Sequence, residues 1–171
     1  MYIKLFGALA ALSAFLMAGF ACYTERKRQY ELLEAIRYML VLMRAELDTS
    51  ASSMEEILAA VKDILVPPAA AFVHMMAESM GRLGEDSFES LWRQALDYCF
   101  PQLDAAVAKS VRQLGNVLGR YELSQQLREL DNAIIITAKR AEELSARLPS
   151  EKRLALGLSG ALGLMLVIIL I

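Results

Sequence analysis

Two long uncharged apolar stretches, Leu5 to Thr24 and Leu154 to Ile171, lie near the two ends of the chain. Each is about as long as an α-helix needs to be to cross a hydrocarbon core of about 30 Å, at a rise of about 1.5 Å per residue. Every charged residue except Lys4 lies between them. The sequence therefore predicts a transmembrane helix at residues 1–24, a domain at residues 25–153 and a second transmembrane helix at residues 154–171.

The first stretch could instead be a secretory signal peptide, because Lys4 precedes it and the small residues Gly19 and Ala21 suit a peptidase. A retained anchor is favoured for two reasons. The run is longer than the usual apolar core of about 7 to 15 residues, and the charged segment Glu25-Arg26-Lys27-Arg28 follows it directly.

The charged flanks and the small residues of the two spans predict orientation and packing. Basic residues lie on the domain side of both spans, so the domain should face the cytoplasm, with both chain ends outside. Small residues recur in both spans at intervals that would let helices approach closely in lipid. The alternative is that alanine and glycine are simply common in spans. The residues are Ala10, Ala14, Ala18, Gly157, Ala161 and Gly163.

Apolar residues in the domain repeat with the period of an α-helix, and no segment alternates as a strand would. The clearest case is a seam with intervals of 3, 4, 3 and 4 residues, formed by Leu33, Ile36, Leu40, Met43 and Leu47. Either Ser52 with Glu55 or Ser53 with Glu56 would form a capping box at the start of the second helix. Pro67-Pro68 would then stop or kink that same helix. We predict an all-α fold, in which about six helices form a cytoplasmic antiparallel bundle flanked by the two membrane helices.

The charged residues and motifs give little support to an enzyme or a nucleic-acid-binding protein. The 18 Lys and Arg against 20 Asp and Glu leave a slightly acidic chain with no basic stripe. There is no phosphate-binding loop, no dinucleotide turn, no paired histidines and no nucleophile elbow. We therefore expect no catalytic residue, no cofactor, no metal and no small-molecule substrate.

Several single residues have two interpretations each. The only histidine, His74, is expected to have a structural or surface role. The methionines Met75, Met76 and Met80 could form an adaptable binding groove, although core filling is favoured. The only tryptophan, Trp92, is expected in the core rather than on a contact surface.

The segment from Gly115 to Gln126 has the pattern G-x-x-L-G-x-x-E-x-x-Q-Q. Together with the run Tyr23 to Gln29 and with Ala45-Glu46-Leu47, it resembles the stage III sporulation protein AB family. Chain length, the two terminal spans and the order of elements agree over essentially the whole sequence. One departure is Glu122, where the family commonly has Asp, which is the better helix cap.

The resemblance implies a non-enzymatic assembly component of the channel between mother cell and forespore, required for endospore formation. Its localisation would be the mother-cell membrane around the forespore. The domain would be similar to the F-type inner-membrane platform of type II secretion and type IV pilus machines. The implied partners are other membrane subunits of the channel, its secretion-type ATPase and membrane lipid; a homo-oligomer is left open.

The same segment predicts a tight corner between the fifth and sixth helices. Gly119 would take a left-handed conformation that ends the fifth helix, so Gly115 and Gly119 are the expected structural residues. The candidate partner contacts displayed there are Arg120, Tyr121, Glu122 and Gln125. The alternative function is a membrane-anchored dimeric signalling or regulatory module. It would need a helical seam left exposed in the monomer.

Overall fold

A computed structural model describes residues 2–50 and 53–170, and over most of residues 2–22 and 149–170 it describes the backbone alone. Within these ranges there are six α-helices, a single turn of 3₁₀-helix at Met80–Arg82, and no β-strand. The predicted all-α class is confirmed. The helices are α1 (Tyr2–Ser50), α2 (Met54–Val61), α3 (Ala69–Ser79), α4 (Phe88–Cys99), α5 (Ala105–Val117) and α6 (Leu123–Leu170).

The first and last helices are much longer than the four between them. Helix α6 has 48 residues and continues through Pro149, although an interior proline commonly kinks or breaks a helix. The chain divides into two compact units, one formed by residues 1–30 with 142–171 and the other by Glu31–Ala141.

The apolar ends of the chain are helical, but their membrane role remains a prediction. Over the part of the chain that the structure describes, no helix has a stretch long and apolar enough for a membrane span. Of the small residues expected to pack in the spans, Ala14, Gly157 and Ala161 are exposed. The side chains of Ala10 and Ala18 and the surroundings of Gly163 lie outside the described part.

The unit Glu31–Ala141 is built around the seam predicted on α1. All five seam residues are buried, which confirms this face of the helix. Helix α6 contributes buried Leu130, Ala133 and Ala141. It also buries Thr137, whose hydroxyl donates to the Ala133 carbonyl oxygen at 2.7 Å and so avoids an unsatisfied polar group. The Arg44 guanidinium joins the two helices by donating to Asp131 at 2.7 Å.

Three of the four shorter helices, α2, α4 and α5, begin at side-chain caps that satisfy free backbone N–H groups. Ser53 and Glu56 form the capping box of α2, one of the two predicted pairs. Helix α4 is capped by Ser87, whose hydroxyl accepts from the Ser90 N–H at 3.2 Å. Asp104 caps α5 in the same way, with its carboxylate 2.9 Å from the Ala106 nitrogen.

The centre of this unit is Trp92 on α4, which is fully buried as predicted. Its indole N–H donates to the Val111 carbonyl oxygen on α5 at 2.8 Å. Phe72 packs edge-on against the indole with ring centroids 4.8 Å apart. Gly115, one turn beyond Val111, lies directly beneath the ring: a Cβ built there would be 2.8 Å from Cδ1 of Trp92. The two helices can therefore approach this closely only because residue 115 has no side chain.

Other residues noted in the sequence are distributed between core and surface. His74 is exposed, in line with a surface role. Met76 fills the core, whereas Met75 and Met80 are only half-buried. Cys99 is a free, half-buried thiol whose pKa is raised by burial, which lowers the thiolate fraction near neutral pH.

We expect Gly115→Ala to lower the free energy of unfolding of the full-length protein by about 1 to 3 kcal/mol, because the added methyl overlaps the Trp92 ring. The gain in helix propensity, at most about 1 kcal/mol, offsets only part of this cost. Chemical unfolding followed by circular dichroism would measure the change. The matched control is Gly81→Ala, where a Cβ meets no atom within 4 Å. Equal stability of the two variants would contradict the proposed close packing.

Candidate functional site

The turn between α5 and α6 has the corner geometry expected from the sequence. Helix α5 ends at Val117, and Gly119 adopts a φ of +74°, in the left-handed region that favours glycine. The Arg120 N–H donates back to the Val117 carbonyl oxygen at 3.2 Å, which closes the turn. Helix α6 then begins at Leu123. The chain thus reverses between two packed helices within five residues, 118–122.

The side chain of Gln126 holds this corner together, a role that the sequence pattern did not reveal. Its carbonyl oxygen accepts from the Gly119 N–H at 3.0 Å, and its amide nitrogen donates to the Tyr121 carbonyl oxygen at 2.6 Å. Gln126 is buried, although its neighbour Gln125 is only half-buried. One amide therefore satisfies two backbone groups of the turn from the first full turn of α6.

This bridge changes the interpretation of Glu122. Its carbonyl oxygen accepts from the Gln125 and Gln126 N–H groups at the start of α6, so its backbone occupies the capping position. Its exposed side chain makes no hydrogen bond to the residues that the structure describes. The two hydrogen bonds of the Gln126 amide stabilise the corner, and no side-chain cap at residue 122 takes part.

The structure also changes the role of Gly115. It is not part of the turn, because it lies inside α5 and is buried beneath Trp92. Of the two glycines predicted to shape the corner, only Gly119 does so by its backbone conformation. Gly115 acts earlier in the chain, by allowing α4 and α5 to approach each other.

The four predicted contact residues lie at the corner but face different surroundings. Arg120, Tyr121 and Glu122 are exposed, and Tyr121 keeps 52% of its surface accessible. Tyr121 and Gln125 line a groove between α4, α5 and the start of α6, which we call the polar groove. Arg120 lines a second groove, bounded by the start of α2 and by the loop before α4, which we call the acidic groove.

The polar groove carries both signs of charge, much of it paired. The Arg112 guanidinium donates to Asp97 at 2.5 Å, and the Gln113 amide donates to Glu129 at 3.4 Å. The Asn116 amide, with its nitrogen toward α4, donates to both oxygens of Glu89 at 2.9 and 2.5 Å. Hydrogen bonds between side chains of neighbouring helices therefore line the polar groove.

The acidic groove combines exposed carboxylates with an apolar floor. Glu55 and Glu85 are exposed at its rim. Leu83 lies between α3 and α4 with 45% of its surface accessible, and Phe88 contributes a half-buried ring. The groove encloses about 730 Å³.

The polar atoms at the corner are either paired within the bundle or exposed at its surface. Within residues 2–50 and 53–170 there is no group of three or more His, Cys, Asp or Glu side chains placed to hold a metal ion. Over the same ranges, every buried side-chain nitrogen and oxygen has a hydrogen-bond partner. The corner residues Arg120, Tyr121 and Glu122 are exposed to solvent.

We expect Gly119→Val to destabilise the full-length protein by about 1 to 2 kcal/mol, since a β-branched residue is strained at a φ of +74°. Gly119→Asn is the matched control, because asparagine tolerates the left-handed conformation far better. Thermal unfolding of both variants would separate them. An equal loss of thermal stability in the two variants would show that something other than backbone conformation restricts residue 119.

Gln126→Ala should destabilise the protein by about 1 to 3 kcal/mol, because the Gly119 N–H and the Tyr121 carbonyl oxygen both lose their partner. Faster amide hydrogen exchange at Gly119 would locate the effect at the corner. Gln125→Ala is the control, since the Gln125 side chain makes no hydrogen bond to any described residue. If Gln126→Ala had the stability of the parent and the same rate of hydrogen exchange at Gly119, the bridge would be contradicted.

Comparison with known proteins gives the same family as the corner motif. A family model described as "Stage III sporulation protein AB" matches residues 4–171. A solved structure titled "Stage III sporulation protein AB" superposes with a TM-score of 0.61 at 18% identity, covering 72% of this chain and 96% of the other. A search of curated proteins found no match. Because the family model spans nearly the whole sequence, the chain belongs to the stage III sporulation protein AB family.

Proposed function

We propose that this protein is a non-enzymatic, membrane-anchored assembly component of the sporulation channel between mother cell and forespore. In this account, two helical anchors lie in the mother-cell membrane and the bundle faces the cytoplasm. The corner between α5 and α6 contacts a secretion-type ATPase of the same complex, as in an F-type platform. The protein contributes position and shape rather than chemistry.

The observation that carries this proposal is the extent of the family match. It covers residues 4–171, and therefore includes both apolar ends as well as the helical bundle. The family name supports a role in sporulation. A bundle that shares its first and last helices with two apolar segments is suited to joining a membrane complex to an intracellular partner.

Exposed apolar side chains support an apolar environment for the ends of the chain. Met17, Phe20 and Met165 keep 73%, 64% and 61% of their surfaces accessible. Single exposed apolar side chains also occur on ordinary protein surfaces, so the weight of this argument lies on the long uncharged stretches that contain them. Together with the uncharged stretches of the sequence, they favour membrane anchors packed against other membrane subunits.

Burial of the α1 seam weighs against the dimeric signalling alternative. That module needs a regular apolar seam left free to pair with a second copy. The α1 seam is instead buried inside the monomer, and α6 buries Leu130, Thr137 and Ala141. A homo-oligomer formed through other surfaces stays open, but coiled-coil pairing through the α1 seam would require buried core residues of the monomer to become exposed first.

The mechanism that we propose is geometric. Helices α1 and α6 each continue without a break from an apolar end into the bundle. The corner is fixed by the left-handed turn at Gly119 and by the Gln126 bridge. A partner bound there would meet a preformed surface, so little ordering entropy would be lost on binding.

The double substitution Arg120→Ala with Glu122→Ala tests the corner as a contact. Both side chains are exposed and form no ion pair within the described residues, so we expect stability to change by less than about 0.5 kcal/mol. Recovery of the ATPase with the tagged full-length protein after in-cell crosslinking in sporulating cells should fall by about tenfold, as is typical when interface charges are removed.

The matched control is Lys62→Ala with Asp63→Ala, a basic and acidic pair in the turn after α2 that lines neither groove. This control should recover partners at the parental level. If the corner variant also does so, the contact surface is elsewhere. Recovery of this protein only as a dimer, with no channel subunit, would instead favour the signalling alternative.

A further inference from the structure

The acidic groove carries more negative charge than the rest of the bundle does on average. The unit Glu31–Ala141 has 11 Lys and Arg against 16 Asp and Glu, a net charge of −5. Four carboxylates line this one groove, those of Glu55, Glu85, Asp86 and Glu89, and the basic residue among its lining side chains is Arg120. Its surface therefore attracts cations more strongly than the bundle does on average.

The carboxylates at the rim are available to an incoming ligand. Glu55 and Glu85 make no ion pair or side-chain hydrogen bond within the described residues. Asp86 is only loosely paired, with its carboxylate 3.9 Å from the Arg82 guanidinium. Glu89, in contrast, accepts two hydrogen bonds from Asn116. Glu55 and Glu85 thus present two free negative charges on opposite elements of the groove.

Between these charges the groove exposes apolar surface. Leu83 is 45% accessible, and Met80 and Phe88 are half-buried beside it. Leu83 is held in place by its N–H, which donates to the Met80 carbonyl oxygen at 3.1 Å, and by the turn at Gly84 with φ +113°. Methionine provides an adaptable apolar surface in such a groove, because its unbranched side chain changes rotamer easily.

We propose that the acidic groove binds a segment of a partner protein that places an apolar side chain against Leu83 and Lys or Arg side chains against Glu55 and Glu85. This proposal rests on the proposed function, because it names the chemistry of a partner that meets the bundle beside the corner. The apolar anchor would supply affinity and the two charges would supply orientation and rate of association.

Charge and shape favour this occupant over two others. An anionic lipid surface would be repelled by the carboxylates at the rim. A second copy of the bundle carries a net charge of −5 and would be repelled as well. A concave site of about 730 Å³ is filled by a few projecting side chains rather than by a flat face.

The first test uses a short peptide of alternating leucine and lysine residues as the probe and the purified full-length protein as the target. Zero-length carbodiimide coupling joins a peptide lysine to a carboxylate only where the two are in contact, and mass spectrometry locates the adducts. Adducts should concentrate at Glu55 and Glu85 over Asp63 and Glu78, which are exposed but line neither groove. A peptide with serine in place of leucine should couple about tenfold less.

The variant Leu83→Ser should reduce this coupling by about tenfold, because it removes the apolar anchor without touching either carboxylate. The matched control is Ile64→Ser, an apolar residue that is 54% exposed outside the groove. Coupling spread evenly over exposed carboxylates, or equal coupling in both variants, would reduce the effect to attraction by an acidic surface and overturn the proposal.

The second test places benzoylphenylalanine at residue 83 of the full-length chain in sporulating cells. The crosslinked partner peptide should contain Lys or Arg beside an apolar residue. Crosslinks only to lipid, to a second copy of this chain or to an acidic segment would overturn the proposal. If the corner recovers the ATPase but both groove tests fail, this inference alone is wrong. If the groove tests succeed while no channel subunit is recovered, the proposed function is wrong instead.

Discussion

The contact between Trp92 and Gly115 is the constraint on which the architecture of this bundle depends. The indole ring occupies the space that a side chain at residue 115 would need, and its N–H donates to the Val111 carbonyl oxygen one turn away. Phe72 and Phe88 pack against the same ring with centroids 4.8 and 5.7 Å away. Burial of so large an aromatic group fixes the spacing of α4 and α5 together with the position of α3.

The position of the corner follows from that packing. Because α5 is held against Trp92, its last turn ends in a defined place, and Gly119 reverses the chain there. Gln126 then joins the turn to α6, whose inner face buries Leu130, Thr137 and Ala141. The exposed residues 120–122 therefore lie on a short turn that the Gln126 side chain links to α6, next to the packed core.

Features that depend on local periodicity could be predicted from the sequence, and features that depend on tertiary contacts could not. The α1 seam, the Ser53 capping box and the left-handed Gly119 all follow from local rules, and the structure has them. The closeness of Gly115 to Trp92 requires two helices to meet, so a pattern within α5 does not reveal it. The same applies to Gln126, which the corner motif contained but whose side chain acts on residues five and seven positions earlier.

The central claim is that this bundle serves a sporulation complex as a preformed contact surface at the α5–α6 corner. Hydrogen exchange of the full-length protein, free and within the complex isolated from sporulating cells, tests this most directly. The account predicts that exchange in the complex slows for segments 79–89 and 115–126, while the buried seam of α1 is equally protected in both states. Slowed exchange confined to the outer face of α1 or α6, with the corner unchanged, would contradict it.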